Sequence, residues 1–140
     1  MEKKLVKEEI KAAAVPTPTR CFSRGIAVTN PKKFIFISGA GSYKGGGIKE
    51  QSLEVFRNLD ALLKEAGASW DNVVHTLTFL RDMKRDFKGF DQARTEFFKE
   101  AGVKPPYPAS TGVEAKMIDA PGIEPPECFL LEMEVTAVIA

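Results

Sequence analysis

Two glutamates close to the end of the chain, Glu132 and Glu134, are the side chains whose spacing most favours chemistry. The segment from Cys128 to Ala140 alternates so that one face is wholly apolar and the other carries both carboxylates. Residues i and i+2 of a strand lie about 7 Å apart along the backbone. A strand as apolar as this one is expected at the centre of a sheet. Burial of a carboxylate there costs free energy unless the group is paired, hydrogen-bonded or part of a functional site. Either both glutamates join an ion-pair or hydrogen-bond network between subunits, or Glu132 acts directly in a site.

The cysteines and the histidine do not form a recognised reactive centre. Cys21 and Cys128 are far apart in the sequence and, with the single His75, lack the spacing of zinc ligands, so no metal is expected. His75 lies in an alternating, strand-like stretch without a Ser, Cys or Asp in a catalytic order, and is interpreted as a structural strand residue. One disulfide between the cysteines stays open, although a reducing compartment is the simpler interpretation.

A glycine-rich stretch, GAGSYKGGG at 39–47, follows an apolar strand-like segment and precedes a helix. This arrangement invites comparison with phosphate-binding loops. No Gly-Lys-Ser/Thr closes the stretch, and no GxGxxG is present. We therefore interpret it as a flexible loop at the rim of a pocket and expect no cofactor.

The elements that must position these residues are predicted from hydrophobic periodicity. The expected order is strand, strand, helix, strand, helix, strand, strand, over 21–28, 33–39, 48–66, 71–82, 86–102, 109–118 and 128–140. Asp86 is the expected N-cap of the second helix, and Gly67 and Gly102 are expected to end the two helices. The apolar stripes that should face the core are Leu53, Phe56, Leu59, Leu62, Leu63 and Ala66 on the first helix, and Phe87, Phe90, Phe97 and Phe98 on the second.

Two amphipathic helices can cover only one face of such a sheet. The other face, which keeps Glu132 and Glu134 among apolar residues, must then be covered by another subunit. The sequence thus predicts a homo-oligomer with sites at the subunit boundary.

The composition limits the partners. The 140 residues are expected to form one domain over 16–140, after an N-terminal arm over 1–15 that is charged and then proline-interrupted. Twenty Lys and Arg balance nineteen Asp and Glu without a basic tract, which argues against a nucleic-acid partner. No stretch is apolar enough to span a membrane, and the start is too charged for a signal peptide. A cytoplasmic protein with no membrane partner is expected.

Ordered blocks across residues 16–140 resemble the RidA (YjgF) family. They are ISG at 37–39, QSLEVFRNLDALLKEAG at 51–67, DNVV and TFLRD within 71–82, DFKGFDQARTEFF at 86–98, PAST at 108–111 and LEMEVTAVIA at 131–140. The resemblance implies a chorismate-mutase-like α+β subunit, in which two helices pack on one face of a mixed sheet. It also implies a homotrimer with three clefts between neighbouring subunits.

Active members of this family hydrolyse reactive 2-imino or 2-enamino acids to 2-keto acids and ammonia. Their last-strand glutamate, which helps to orient water, matches Glu132 as the catalytic residue. Their strand-end serine and glycine match Ser38 and Gly39, and their first-strand aromatic matches Phe22 without the tyrosine hydroxyl. An asparagine of their second helix aligns with Asp91.

The arginine that holds the substrate carboxylate in these relatives has no counterpart here. Pro108-Ala109 is followed by Ser110, and the family's cysteine position is Gly112. A serine hydroxyl offers at most one neutral hydrogen bond where a guanidinium gives a charged, bidentate grip. Ser110, Thr111 and backbone N–H groups near Gly112 are candidates to bind an anionic oxygen. Arg20 and Arg24 are the sequence candidates for the missing charge.

The Pro-Ala-Ser-Thr-Gly segment is also similar to that of the chorismatase relatives, which hydrolyse an enol ether on a carboxylated ring. In both reactions a conjugated double bond is protonated and water adds to the resulting electrophilic carbon. One glutamate whose pKa is raised by desolvation can serve either reaction. With 140 residues, the sequence is expected to form only the domain that it shares with those larger enzymes, without their extra domain.

Three functional hypotheses follow. The first is a small-molecule hydrolase or deaminase that acts on imine, enamine or related enol-ether carboxylates at inter-subunit clefts, with Glu132 as the catalytic group. The second is a trimeric small-ligand-binding or regulatory protein that kept the cleft and lost the chemistry. An endoribonuclease is the weakest of the three, because the near-neutral charge and the lack of a basic and aromatic surface pattern do not favour it.

Overall fold

The computed structural model describes residues 3–118 and 129–140. The described elements are β1 (Val6–Glu9), β2 (Ile26–Thr29), β3 (Lys33–Ala40), α1 (Ile48–Glu65), β4 (Val73–Leu80), α2 (Met83–Ala101), β5 (Ala109–Glu114) and β6 (Leu131–Ile139). The last four strands form a mixed sheet in the order β3-β6-β4-β5, and β1 and β2 form a separate antiparallel pair. The central position expected for the last strand is confirmed, because β6 pairs antiparallel with both β3 and β4.

Both helices pack on one face of this sheet, as the sequence predicts. The apolar side of β6 joins the same core cluster as the buried residues of α1 and α2. Phe56 of α1 contacts Trp70, Phe90, Phe97 and Phe98 at ring-centroid distances of 5.2 to 6.0 Å. This aromatic cluster packs the two helices against each other and against the turn that carries Trp70, and so fixes where side chains of α2 can reach.

Neither helix covers the opposite face of the sheet. Phe34 and Phe36 of β3 lie there at 57% and 76% exposure, their rings stacked 6.5 Å apart. The register pairs these two residues with Val138 and Thr136 of β6. Two exposed phenylalanines side by side on a sheet form an apolar surface of the kind that is usually buried against another protein surface.

The N-terminal segment contains a strand that the sequence analysis did not predict. β1 pairs with β2 from Val6 opposite Thr29 to Glu9 opposite Ile26, and Lys7 Nζ donates to the Asp71 carbonyl at 2.7 Å. Charged residues dominate this stretch, so its local propensity for a strand is weak, and pairing with a segment twenty residues away decides its conformation.

The predicted strand over 21–28 is wrong in its first half. Residues 21–25 are irregular apart from an isolated bridge between Ser23 and Ala109, and β2 begins at Ile26. Three other boundaries also differ. A short 3-10 turn, Trp70–Asn72, precedes β4, while β5 ends at Glu114 and β6 begins at Leu131. Cys128, the predicted start of the final strand, lies outside the described residues.

The N-cap of the second helix lies four residues before the predicted one. It is Asp82, whose carboxylate accepts from the Arg85 amide at 3.0 Å. The predicted cap, Asp86, lies in the first turn, where it is buried and paired with the Arg85 guanidinium at 2.7 Å. The predicted ends hold, since α1 stops at Glu65 before Gly67 and α2 stops before Gly102, which has a φ of 71°.

Two residues of the predicted apolar stripes do not join the core. Leu62 and Phe87 are 51% and 47% exposed. Both lie at the margin of their stripe and line surface cavities instead.

No helix in the described part of the chain has the length and apolarity to cross a membrane.

Candidate functional site

A cavity of about 250 Å³ lies between α2 and the β4–β5 edge of the sheet. The irregular segment before β2 contributes Phe22 and Arg24, and β5 contributes Ser110 and Gly112. These four are half of the residues that the sequence analysis proposed for substrate binding. β4 contributes Thr78 and Leu80 to the lining. The remaining four residues belong to α2 and are Met83, Phe87, Phe90 and Arg94.

The parallel register of β4 and β5 turns Ser110 and Gly112 towards the cavity. Ser110 pairs with Thr76 and Gly112 with Thr78, and the Thr76 hydroxyl donates to Ser110 Oγ at 3.0 Å. The hydroxyl proton of Ser110 is therefore free to be donated to a ligand. A Cβ added at Gly112 would meet only Met83 Cε at 3.7 Å and the Thr78 carbonyl at 4.0 Å, so the floor of the cavity is open here.

Two hydrogen bonds fix the segment that carries Phe22 and Arg24. Ser23 donates its amide to the Pro108 carbonyl at 3.0 Å and its hydroxyl to the Tyr107 carbonyl at 2.6 Å. This attachment holds the flanking side chains beside the start of β5. The Arg24 guanidinium carbon lies 5.6 Å from the Phe22 ring centroid, within the range of a cation–π contact.

Arg94 is a cavity residue that the sequence analysis missed. Its side chain is 7% exposed and donates from Nη2 to Asp91 at 2.7 Å. Its guanidinium carbon lies 5.6 Å from the centroid of Phe22 and 5.4 Å from that of Phe90. The available signal was an arginine three residues after Asp91 on the apolar side of an amphipathic helix, where charged residues are rare unless paired.

Asp91, an expected substrate-binding residue, lies behind the cavity wall. Its carboxylate is shared by Arg94 and by Arg20, whose Nε donates to it at 2.7 Å. Arg20 also donates to Thr95 Oγ1 at 3.0 Å. The carboxylate therefore orients two guanidinium groups, of which only that of Arg94 lines the cavity.

Glu132 lies on the opposite face of the sheet from Ser110. It pairs across the strands with Phe79 of β4, and its carboxyl packs directly over Gly39. A Cβ added at Gly39 would lie 2.9 Å from Glu132 Cδ. Burial, and to a smaller extent the neighbouring charge of Glu134, raises the pKa of Glu132 above its ordinary 4.5.

Ser38 and Gly39 lie where the β3–β6 register shifts, between Ile37 and Ala40, and Gly39 is the residue that contacts the Glu132 side chain. Both residues line a groove between β3 and α1, which also contains exposed Phe36, Tyr43 and Leu62. The backbone irregularity thus brings a glycine without a side chain against the carboxyl.

The predicted site residues therefore form two separate groups. One group, on the helix side of the sheet, shares a cavity with Arg94 and consists of Phe22, Arg24, Ser110 and Gly112. In the other, at the β3 edge, Glu132 lies against Gly39, which lines a groove together with Ser38. Thr111 is exposed and lies on the other face of β5 from Ser110. It pairs with Leu77 of β4, which in turn pairs with Glu134 of β6. One group can bind an anion beside aromatic rings, and the other can exchange a proton.

The described residues contain no group of three or more His, Cys, Asp or Glu side chains placed to hold a metal ion.

Comparisons with known proteins agree on one family. The family model described as Endoribonuclease L-PSP matches residues 11–139. A RutC family protein of Pyrococcus abyssi is 34% identical over 140 residues, covering 95% of this chain and 98% of that protein. The human protein named 2-iminobutanoate/2-iminopropanoate deaminase is 28% identical over 102 residues, covering 68% and 72%.

A solved structure extends the agreement to the fold. A conserved Rid family protein from Yersinia pestis matches with a TM-score of 0.76 over 95% of this chain and 98% of that one. At 19% sequence identity, this likeness bears on the fold alone.

Proposed function

The chain belongs to the endoribonuclease L-PSP (RidA/YjgF) family, and on this premise we propose that it hydrolyses small reactive imine or enamine carboxylates at clefts between subunits. The related enol-ether carboxylates are a second substrate class for the same acid. The human relative's name supports the reaction type, since it is an imine deaminase. The observation that carries the proposal is Glu132, a half-buried carboxyl with a raised pKa packed against Gly39 at the sheet edge.

The separation of the two groups of residues supports a site made from two subunits. In one subunit, Ser110 and Glu132 are on opposite faces of the same sheet. One ligand can contact both groups only if a second copy brings its β3 edge to the cavity of the first. The exposed face with Phe34 and Phe36 supplies an apolar surface for such an assembly, which we infer to be a homotrimer.

The reaction needs one proton donor and acceptor near the imine carbon. The cavity holds the carboxylate of the substrate. A carboxyl with a raised pKa protonates the nitrogen of an imine, or the carbon of an enamine, to form the iminium. As a carboxylate it then accepts a proton from the attacking water. Water adds to the C=N carbon to give a carbinolamine. Glu132, protonated again, passes a proton to the amino group and takes one from the hydroxyl as the C–N bond breaks, so that ammonia leaves and the 2-keto acid remains. The proton count closes because Glu132 ends in the form in which it began.

The test is release of ammonia and keto acid from freshly generated 2-iminopropanoate. We expect Glu132→Gln to lower turnover by about 10²- to 10⁴-fold, the usual contribution of a general acid or base. Glu134→Gln, two residues along the same strand and exposed, is the matched control and should retain most activity. Wild-type turnover in a folded Glu132→Gln protein would contradict the proposal.

A non-catalytic ligand-binding protein is the second candidate. Ser110 favours it, because this position carries the carboxylate-holding arginine in active relatives. Under this function the wild type binds small carboxylates and releases no ammonia. The same assay, run together with a binding measurement, separates the two functions.

A further inference from the structure

We propose that Arg94 of α2, assisted by Arg24, takes over the role of anion anchor in this cavity, and that the cavity accepts a carboxylate carried by a flat, ring-containing body. The inference rests on the proposed function, since it specifies the substrate class of that site. The charge would enter the cavity from the helix instead of from β5.

Unsatisfied buried polar atoms single out this cavity. Within the described residues, three buried side-chain polar atoms lack a hydrogen-bond partner, and two of them, Arg94 Nε and Thr78 Oγ1, belong to residues that line it. Buried polar groups are nearly always bonded, because an orphan donor keeps the full cost of its desolvation. A carboxylate oxygen in the cavity would give Arg94 Nε the acceptor it lacks.

The charge balance also favours an anion. The single negative charge of Asp91 is shared by Arg20 and Arg94, while Arg24 donates its Nε to the Pro16 carbonyl at 3.0 Å, a neutral group. The nearby carboxylate of Glu114 accepts from the Met83 amide at 3.0 Å. The three guanidinium groups exceed the carboxylates of Asp91 and Glu114 by one, which leaves one positive charge around the cavity for a ligand to neutralise.

The walls select the body of the ligand. Phe22 and Phe90 flank the Arg94 guanidinium, and Phe87 and Leu80 add apolar surface. About 250 Å³ is room for roughly eight water molecules at ~30 Å³ each, which is more than a three- or four-carbon acid fills. A single ring can stack on the phenylalanines while its carboxylate reaches Arg94.

Calorimetric binding of two product analogues to the full-length protein tests the anchor and the ligand class. We expect the wild type to bind phenylpyruvate at least about tenfold more tightly than 2-oxobutanoate, in line with the added ring contact. Arg94→Gln should weaken phenylpyruvate binding by about ten- to a hundredfold, as expected for loss of a charged hydrogen bond. Arg57→Gln, an exposed arginine of α1 away from the cavity, should bind like the wild type.

Two further variants guard against misfolding. Arg94→Lys keeps a positive charge near Asp91 but removes the Nε–H group, and should still weaken phenylpyruvate binding several-fold. Adding Ser110→Arg to Arg94→Gln restores an arginine from the strand side and should recover binding. Unchanged affinity in Arg94→Lys and in folded Arg94→Gln overturns the anchor, and equal wild-type affinity for the two acids overturns the ring-containing ligand.

The failure of this inference is distinguishable from the failure of the proposed function. If the wild type binds phenylpyruvate through Arg94 but releases no ammonia from any imine, Arg94 is the carboxylate anchor and the proposed hydrolase function is wrong. If Arg94→Gln hydrolyses 2-iminopropanoate and the imine of phenylpyruvate as fast as wild type, the hydrolase stands and the anchor falls.

Discussion

At the scale of single residues, Glu132 and Glu134 have the same chemistry and different surroundings. Both occupy the same face of β6, yet Glu134 is exposed while Glu132 is half-buried against Gly39. Partial removal of water disfavours the ionised form, which is why the pKa of Glu132 is raised. The backbone of Gly39 therefore helps to tune the acid, because any side chain there would compete with the carboxyl for space.

Replacement of Gly39 tests this arrangement. Gly39→Ala places a Cβ 2.9 Å from Glu132 Cδ and must push the carboxyl aside. Because the displaced group is the end of a flexible side chain, we expect the protein to fold with nearly wild-type stability. Turnover in the imine assay should fall by about ten- to a hundredfold, as for a misplaced catalytic group. Wild-type turnover in this variant would mean that the position of the Glu132 carboxyl does not matter for the reaction.

At the scale of elements, α2 determines the cavity because it supplies four of the ten residues that line it, more than any other element. The helix begins at Met83, so its first turns bring Met83, Phe87 and Phe90 over the β4–β5 edge and place Arg94 at the inner end. The cap that sets this start is Asp82, whose carboxylate accepts from the Arg85 amide in the first turn. Two aspartates four residues apart both suit a cap by sequence, and only the extended backbone at Asp82 decides between them.

Removal of the cap should destabilise the helix start. For Asp82→Ala we expect the free energy of unfolding to fall by about 0.5–2 kcal/mol, the usual cost of losing a capping side chain. The exposed ion pair between Asp82 and Arg85, at 3.8 Å, adds little to this. Denaturant unfolding measures the change. Asp82→Asn, which keeps a capping oxygen, is the control and should retain most of the stability; an equal loss in both variants would contradict the capping role.

At the scale of the whole molecule, one face of the sheet is covered by the helices and the other face is exposed in the single subunit. The helices bury the first, while the second presents Phe34 and Phe36 to solvent in the single subunit. The division of the candidate site between the cavity and the β3 edge has the same origin, because side chains on opposite faces of one sheet cannot meet. Assembly would then complete both the apolar surface and the site.

A charge on the exposed face of the sheet should block the proposed trimer. Phe36→Asp places a carboxylate where a neighbouring subunit would bury it, so we expect a monomer at concentrations at which the wild type is trimeric. Imine hydrolysis should be lost with it, since the two groups of site residues no longer meet. Light scattering with size-exclusion chromatography reads the assembly. Ile118→Asp, a residue 90% exposed and outside the sheet, is the control and should leave the oligomer intact.

Much of the fold was predictable because its signals are local. The alternation after Cys128 indicated a central strand, and β6 is central; the three- and four-residue steps of α1 gave its bounds within one residue. The stripe of phenylalanines placed Phe90, Phe97 and Phe98 in the core. Strand β1 was missed because its charged residues carry little strand propensity of their own, and its pairing with β2 is a non-local event.

The candidate site was predictable only in part. The sequence by itself determined which residue types were present and that both glutamates share one strand face, while the match of Ser110 to the arginine position of active relatives was an expectation from the family resemblance. The tertiary structure alone decided that Arg94 meets Phe22 and Ser110 in one cavity, and that Glu132 lies on the other side of the sheet. Periodicity reports the face of an element on which a residue lies, whereas proximity between elements depends on how they pack and on strand register, which no local pattern contains.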